Sequence, residues 1–153
     1  MEATSSQCRR AAEGHDGMRP NILFIMSDQQ RYDSLGCYGN VFVSTPHLDR
    51  MAEEGSRFET AVCPWPVCTP SRASMWTGVY PHEHGLERNL YDDANAIRDA
   101  SAVRTTVFDH LRETGYDTAY IGKWHLGHDD PGMFDEWMGF NSQGGHWQDG
   151  VLD

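Results

Sequence analysis

The pattern of apolar and polar positions divides the chain into short alternating elements. Asn21 to Met26 is a short apolar run followed by the polar stretch Ser27-Asp28-Gln29-Gln30. An apolar run of that length is expected of a strand buried in a parallel sheet. From Thr45 to Gly55, Leu48, Met51 and Ala52 recur at i, i+3 and i+4, the stripe of a helix with one buried face. Thr45 can cap that helix, Pro46 can occupy its first position and Gly55 can end it. Ser56 to Ala61 alternates weakly and predicts a strand. Further on, Pro70 suits a first helical turn and Gly78 a helix end, which predicts a short helix over Ser71 to Thr77 with Cys68 at its N-terminus. A third helix is predicted over Val107 to Glu113, stopped by Gly115, and a strand over Asp117 to Ile121. Asp92 to Ala102 is polar and reads as an exposed loop.

The chemistry of two of these junctions stands out. A helix N-terminus carries free N–H groups and the positive end of the dipole, so the neighbourhood of Cys68 favours an anion. Arg72, one turn on, adds a planar fork of donors suited to oxyanions. The polar residues after Met26 lie at the carboxyl end of a predicted strand, where open α/β sheets bind ligands. Lys123 and His125 stand in the same relation to the strand ending at Ile121.

Other combinations lead less far. His82 with His84, and His125 with His128, have spacings seen in zinc sites, but such sites usually need a third protein ligand. Cys63 and Cys68 are separated by a stretch holding Pro64 and Pro66, which does not suit a C-x-x-C pair. Gly144-Gly145-His146 has no assigned role.

The segment Cys68-Thr69-Pro70-Ser71-Arg72, continued to Thr77-Gly78, resembles the active-site signature of type I sulfatases. Gly122-Lys123-Trp124-His125-Leu126-Gly127 resembles a second signature of the same family, and Arg19 to Asp33 resembles the family's N-terminus. Thr45 to Gly55 also matches and reads as scaffold. The resemblance implies an α/β fold, the N-terminal part of an alkaline-phosphatase-like sandwich with a mainly parallel central sheet. It implies that Cys68 is oxidised to formylglycine by a formylglycine-generating enzyme, and that the hydrated aldehyde is the nucleophile of sulfuric ester hydrolysis. Cys68, Arg72, Lys123 and His125 are then the catalytic set. Lys123 would bind the sulfate and hold the formylglycine oxygens, and His125 would hydrogen-bond the same groups.

The resemblance further implies a calcium ion, or another divalent cation such as Mn2+ or Mg2+, held by Asp28, Gln29 and the modified Cys68. Many sulfatases carry two adjacent aspartates where this chain has Asp28-Gln29. A glutamine carbonyl is still a hard oxygen donor, but one negative charge is gone. That resembles the branch with choline sulfatases and phosphonate monoester hydrolases. A phosphonate or phosphate monoester or diester hydrolase is therefore the alternative to a sulfatase acting on a small-molecule or carbohydrate sulfate ester.

Composition bounds these readings. The 153 residues are one domain's length, and four cysteines do not make a disulfide scaffold. The net charge of -11 argues against nucleic-acid binding. Lys123 is the single lysine among twelve Lys and Arg residues. Acidic excess with scarce lysine is expected of a protein working in high salt, where screening weakens self-repulsion. No apolar stretch approaches the length needed to span a membrane. Residues 1–18 are polar and lack the apolar core of a signal peptide, so a cytoplasmic location is expected. They read as a disordered tail or a mis-chosen start, and residues 19–153 as the N-terminal part of a sulfatase domain. Family domains run to several hundred residues. The chain is thus expected to be an N-terminal fragment, a truncated gene product or one piece of a wrongly split gene, and to be inactive by itself.

Overall fold

The computed structural model describes residues 19–90, 97 and 105–141. Contacts divide the chain into two compact units, Met1–Glu59 and Thr60–Asp153.

Among its described residues the first unit holds one helix, α1 (Pro46–Glu54), and two 3-10 turns, Tyr32–Ser34 and Gly36–Tyr38. Thr45 is the N-cap residue and Pro46 opens the helix, as predicted, with Gly55 at its end. The Thr45 hydroxyl does not cap the helix, however. It accepts from the Gly36 N–H at 2.8 Å and donates to Asp49 Oδ1 at 2.9 Å, while Asp49 Oδ1 also accepts from the Cys37 N–H at 2.7 Å. Helix and second 3-10 turn are thereby fastened through one carboxylate. The approach is close enough that a Cβ on Gly36 would lie 2.5 Å from Asp49 Oδ2, so a larger residue there would displace the carboxylate.

Two predicted strands do not form. Residues 21–26 have no regular secondary structure, and Ile22, Leu23, Phe24 and Ile25 are exposed, Leu23 by 84%. Residues 56–61 are likewise irregular and exposed. A strand exists only through hydrogen bonds to a neighbour. Among the described residues the sole strand pairing is between two segments of the second unit.

The second unit holds α2 (Cys68–Thr77), the single-turn α3 (Pro81–His84), α4 (Val107–Glu113), β1 (Ala119–Lys123) and β2 (Glu136–Phe140). The strands are parallel, with Ala119 opposite Glu136 and Lys123 opposite Phe140. Parallel strands need a crossover of about a dozen residues. Here Trp124 to Asp135 provide it, without a helix. Strand β1 starts and ends two residues later than predicted: the Thr118 N–H, just before it, donates to Asp135 Oδ2 at 2.7 Å. Lys123 is therefore the last residue of the strand itself. Helix α4 has the predicted bounds because a capping box fixes its start: Thr106 Oγ1 accepts from the Asp109 N–H, and Asp109 Oδ2 accepts from the Thr106 N–H.

The core of this unit is mainly aromatic. Trp76 of α2, Phe108 of α4, Tyr120 of β1, Trp124 and Phe134 of the crossover and Trp137 of β2 form one cluster, with ring centroids 4.6 Å apart for Phe108–Phe134 and 5.0 Å for Tyr120–Trp124. Such pairs add about 0.5–1.5 kcal/mol each beyond area burial. The polar segment predicted as an exposed loop has one described residue, Ile97. It is helical and fully buried, and its N–H donates to the Leu126 carbonyl at 3.4 Å. The remainder of that segment lies outside the described residues, as do residues 1–18 and Gly144-Gly145-His146.

Candidate active site

Helix α2 starts at Cys68 itself, with extended Val67 before it, and ends where Gly78 takes φ 72°. Cys68 is half-buried in the first turn. Fewer free donors surround it than the sequence leads one to expect. The Thr69 N–H donates to Asn89 Oδ1 at 3.1 Å, Pro70 has none, and the Ser71 N–H closes the first turn on the Val67 carbonyl. The dipole's positive end remains.

Strand β1 delivers the second signature to this turn. The Lys123 ammonium donates to Cys68 Sγ at 3.4 Å, joining residues 55 positions apart. Two groups then hold the strand end in place. Arg72, 5% exposed, donates through Nη1 to the Lys123 carbonyl and to the Tyr120 hydroxyl, the latter at 3.3 Å. Tyr120 in turn donates its hydroxyl to the Lys123 carbonyl at 2.6 Å. Burial pushes the Tyr120 phenol above its ordinary pKa, against the opposing pull of the Arg72 charge, so it stays a donor at neutral pH.

His125 is buried in the crossover and adopts φ 57°, a left-handed conformation that residues other than glycine rarely take. Its Nε2 meets the Leu90 carbonyl at 3.1 Å, and its own carbonyl accepts from Thr69 Oγ1 at 2.8 Å. Its ring is thus directed to Leu90, and its link to the Cys68 turn is through the backbone. The structure joins Cys68, Arg72 and Lys123 by direct contacts, and ties His125 to the same turn through its backbone carbonyl. Thr69, Asn89, Leu90 and Tyr120 complete the arrangement and were not singled out from the sequence. Thr69 lay inside the signature, and Tyr120 three residues before Lys123. The part played by Asn89 and Leu90 is purely a matter of tertiary contact.

The two histidines of Pro81-His82-Glu83-His84 part company. His82 is exposed and stacks on Tyr80, while His84 is buried and its Nε2 meets Ser74 Oγ at 3.0 Å. The Leu86 N–H donates to His84 Nδ1 at 3.1 Å. Nε2 therefore carries the hydrogen, and His84 fastens α3 to α2. Burial lowers its pKa, outweighing the nearby Glu83 and Glu87 carboxylates.

Asp28 and Gln29 belong to the first unit. Both are exposed, and Gln29 has φ 59°. Their oxygens are the hard donors that calcium, manganese or magnesium require, but two residues fall short of the six to eight oxygens of a calcium shell. Among the described residues no group of three or more His, Cys, Asp and Glu side chains is placed to hold a metal ion. No described helix is long and apolar enough to cross a membrane.

Chemically, an ammonium and a helix N-terminus converging on one side chain can stabilise negative charge that develops there. Comparison with known proteins gives the same direction. The family model for sulfatases matches residues 20–150. The chain is 40% identical over 114 residues to the N-acetylgalactosamine-6-O-sulfatase of Bacteroides thetaiotaomicron, covering 74% of this chain and 22% of that protein. It is 38% identical over 120 residues to human steryl-sulfatase, covering 76% and 21%. Among solved structures, one of a protein in complex with its substrate D-glucosamine-2-N,6-O-disulfate superposes with a TM-score of 0.69 at 37% identity, over 79% of this chain and 23% of that one. The chain spans about a fifth of the length of these curated relatives. The α/β fold is that of the N-terminal portion of sulfatases, and the chain belongs to the sulfatase family.

Proposed function

We propose that this chain supplies the nucleophile and the sulfate-binding cations of a sulfuric ester hydrolase. The observation that carries the reading is the 3.4 Å approach of Lys123 Nζ to Cys68 Sγ. It unites the two signatures of the family at one point.

When Cys68 is converted to formylglycine by a formylglycine-generating enzyme, the modified side chain supplies a hydrated aldehyde whose hydroxyl is a nucleophile toward sulfur. The unmodified thiol in this structure stands where those oxygens would be. Lys123 donates to that position, orients the attacking oxygen and offsets charge on the sulfate oxygens. Arg72 does its work one step back. Its guanidinium and the Tyr120 hydroxyl fix the Lys123 carbonyl, so the ammonium is presented in one direction. It also adds fixed positive charge beside the site. His125, held through its backbone carbonyl by Thr69 and with Nε2 against the Leu90 carbonyl, is by residue type able to hold or move a proton once its ring is turned to the reacting oxygens. A divalent cation, calcium by its preference for hard oxygens, would take Asp28 and Gln29 among its oxygen ligands. It would add Lewis-acid charge stabilisation.

The substrate class is a sulfate ester, and a carbohydrate sulfate fits what the names of the relatives say of those proteins. A phosphonate or phosphate ester is the second reading, carried by Gln29, which leaves the metal site one negative charge short of an aspartate pair. The test is turnover by the protein purified from its native host, with 4-nitrophenyl sulfate and a phosphonate monoester at equal concentration. Faster sulfate release is expected. Faster phosphonate turnover would replace this reading with the second, and no turnover of either would remove both.

A further inference from the structure

We propose that Thr69 is a positioning residue that sets His125 through two backbone hydrogen bonds; its effect on turnover rests on the sulfatase reading above. Thr69 is fully buried in the first turn of α2, next to Cys68. A hydroxyl has one hydrogen to give and lone pairs to accept with, and backbone groups use both capacities. Thr69 Oγ1 donates to the His125 carbonyl at 2.8 Å and accepts from the Leu90 N–H at 3.3 Å. Leu90 is the residue whose carbonyl meets His125 Nε2 at 3.1 Å. One hydroxyl therefore ties down both the backbone that carries the imidazole and the backbone that the imidazole binds. A third bond, from the Thr69 N–H to Asn89 Oδ1 at 3.1 Å, holds the same segment from the other side.

The backbone of His125 gives this clamp a task. At φ 57° the residue sits in a region that persists only when its surroundings fix it. Its carbonyl is held by Thr69, and its direction determines where the ring lies relative to Lys123, two residues earlier. With the hydroxyl removed, the buried His125 carbonyl and the half-buried Leu90 N–H lose their partner together. Release of His125 into an ordinary conformation would carry the imidazole away from Leu90. Displacement of a proton-handling group by about an ångström is enough to cost on the order of a hundredfold in rate.

The test uses Thr69→Val, of similar shape without the hydroxyl, Thr69→Ala in case the valine variant does not fold, and Thr69→Ser, which keeps the hydroxyl. All are made in the native host, and the formylglycine fraction at residue 68 is measured by mass spectrometry so that kcat is compared per modified site. For T69V or T69A, kcat with 4-nitrophenyl sulfate is expected to fall by about tenfold or more, with KM nearly unchanged, and T69S to recover most of it. Crystal structures of wild type and T69V supply a readout that needs no activity, and His125 is expected to leave its left-handed conformation and its bond to Leu90 in the variant. An unchanged kcat in T69V, equal losses in T69V and T69S, or an undisturbed His125 in the crystal would each overturn the inference. A wild type with a thiol at residue 68 and no turnover would overturn the sulfatase reading instead, and the crystal comparison alone would then decide whether Thr69 positions His125.

Discussion

At the scale of single residues, the site divides into a group that faces the reacting position and groups that hold it there. Lys123 is half-buried and its described contact is with Cys68, whereas Arg72 and Tyr120 touch its carbonyl. Lys123→Ala should therefore lower kcat by about a hundredfold to a thousandfold, as loss of one charge-stabilising donor does, while the thermal midpoint moves by only a few degrees. Steady-state kinetics beside calorimetry would check this, and a large stability loss with unchanged kcat would make Lys123 structural. Asp28 is exposed in the first unit and offers a hard oxygen. Asp28→Asn is expected to weaken calcium binding by about tenfold or more, since it removes charge from a site that already has glutamine at residue 29. Calcium titration calorimetry reads this directly, and an unaltered affinity would take Asp28 out of the ligand set. The residues named from sequence were legible because each sits in a short motif with its own local chemistry. Thr69's clamp and Tyr120's brace were not, because a hydroxyl's partner 56 or three positions away depends on how strand and helix meet.

At the scale of elements, the boundaries that local caps determine were readable in advance. Helices α1 and α4 begin at Pro46 and Val107 as predicted, α1 with proline at its first position and α4 on a Thr106–Asp109 box that the structure adds. The apolar run over residues 21–26 was read as a buried strand, yet it is irregular and exposed. Its apolar pattern states what it needs, and a strand's pairing partner has to come from elsewhere in a chain. Pinning of α3 to α2 by His84 carries a pH dependence. Buried His84 is held neutral below its ordinary pKa, so the unfolded chain binds a proton that the folded one refuses. Stability of the second unit is then fully present above about pH 6.5 and is lost as pH falls from there toward the folded pKa. Asp135, held low by the Thr118 N–H, acts in a separate window below the usual carboxylate range. Thermal midpoints at pH 7.5 and pH 5.5 are expected to drop with acid in the wild type and to drop less in His84→Asn, which starts lower but has no histidine to protonate. Parallel declines in the two proteins would contradict the assignment.

At the scale of the whole molecule, charge and family membership set the remaining expectations. A net charge of -11 on 153 residues with one lysine repels itself. Raising salt from about 0.1 M to about 1 M shortens the screening length from about 10 Å to about 3 Å. The thermal midpoint should rise accordingly, and a fall or a flat response in sodium chloride would show that self-repulsion is unimportant here. Fold class was legible from the whole chain because two signatures and an N-terminal segment occur in family order, a match that extends over residues 20–150. The small sheet was less so, since parallel pairing of residues 119–123 with 136–140 across an irregular crossover leaves no periodic trace. The catalytic expectations depend on one chemical event at Cys68. The most direct measurement is the mass of the peptide containing Cys68 from protein made in its native host, together with capture of that peptide by a hydrazide reagent. The aldehyde form, lighter than the thiol and hydrazide-reactive, is the predicted result. A peptide found wholly as the thiol, with no hydrazide adduct, would contradict the formylglycine-dependent account.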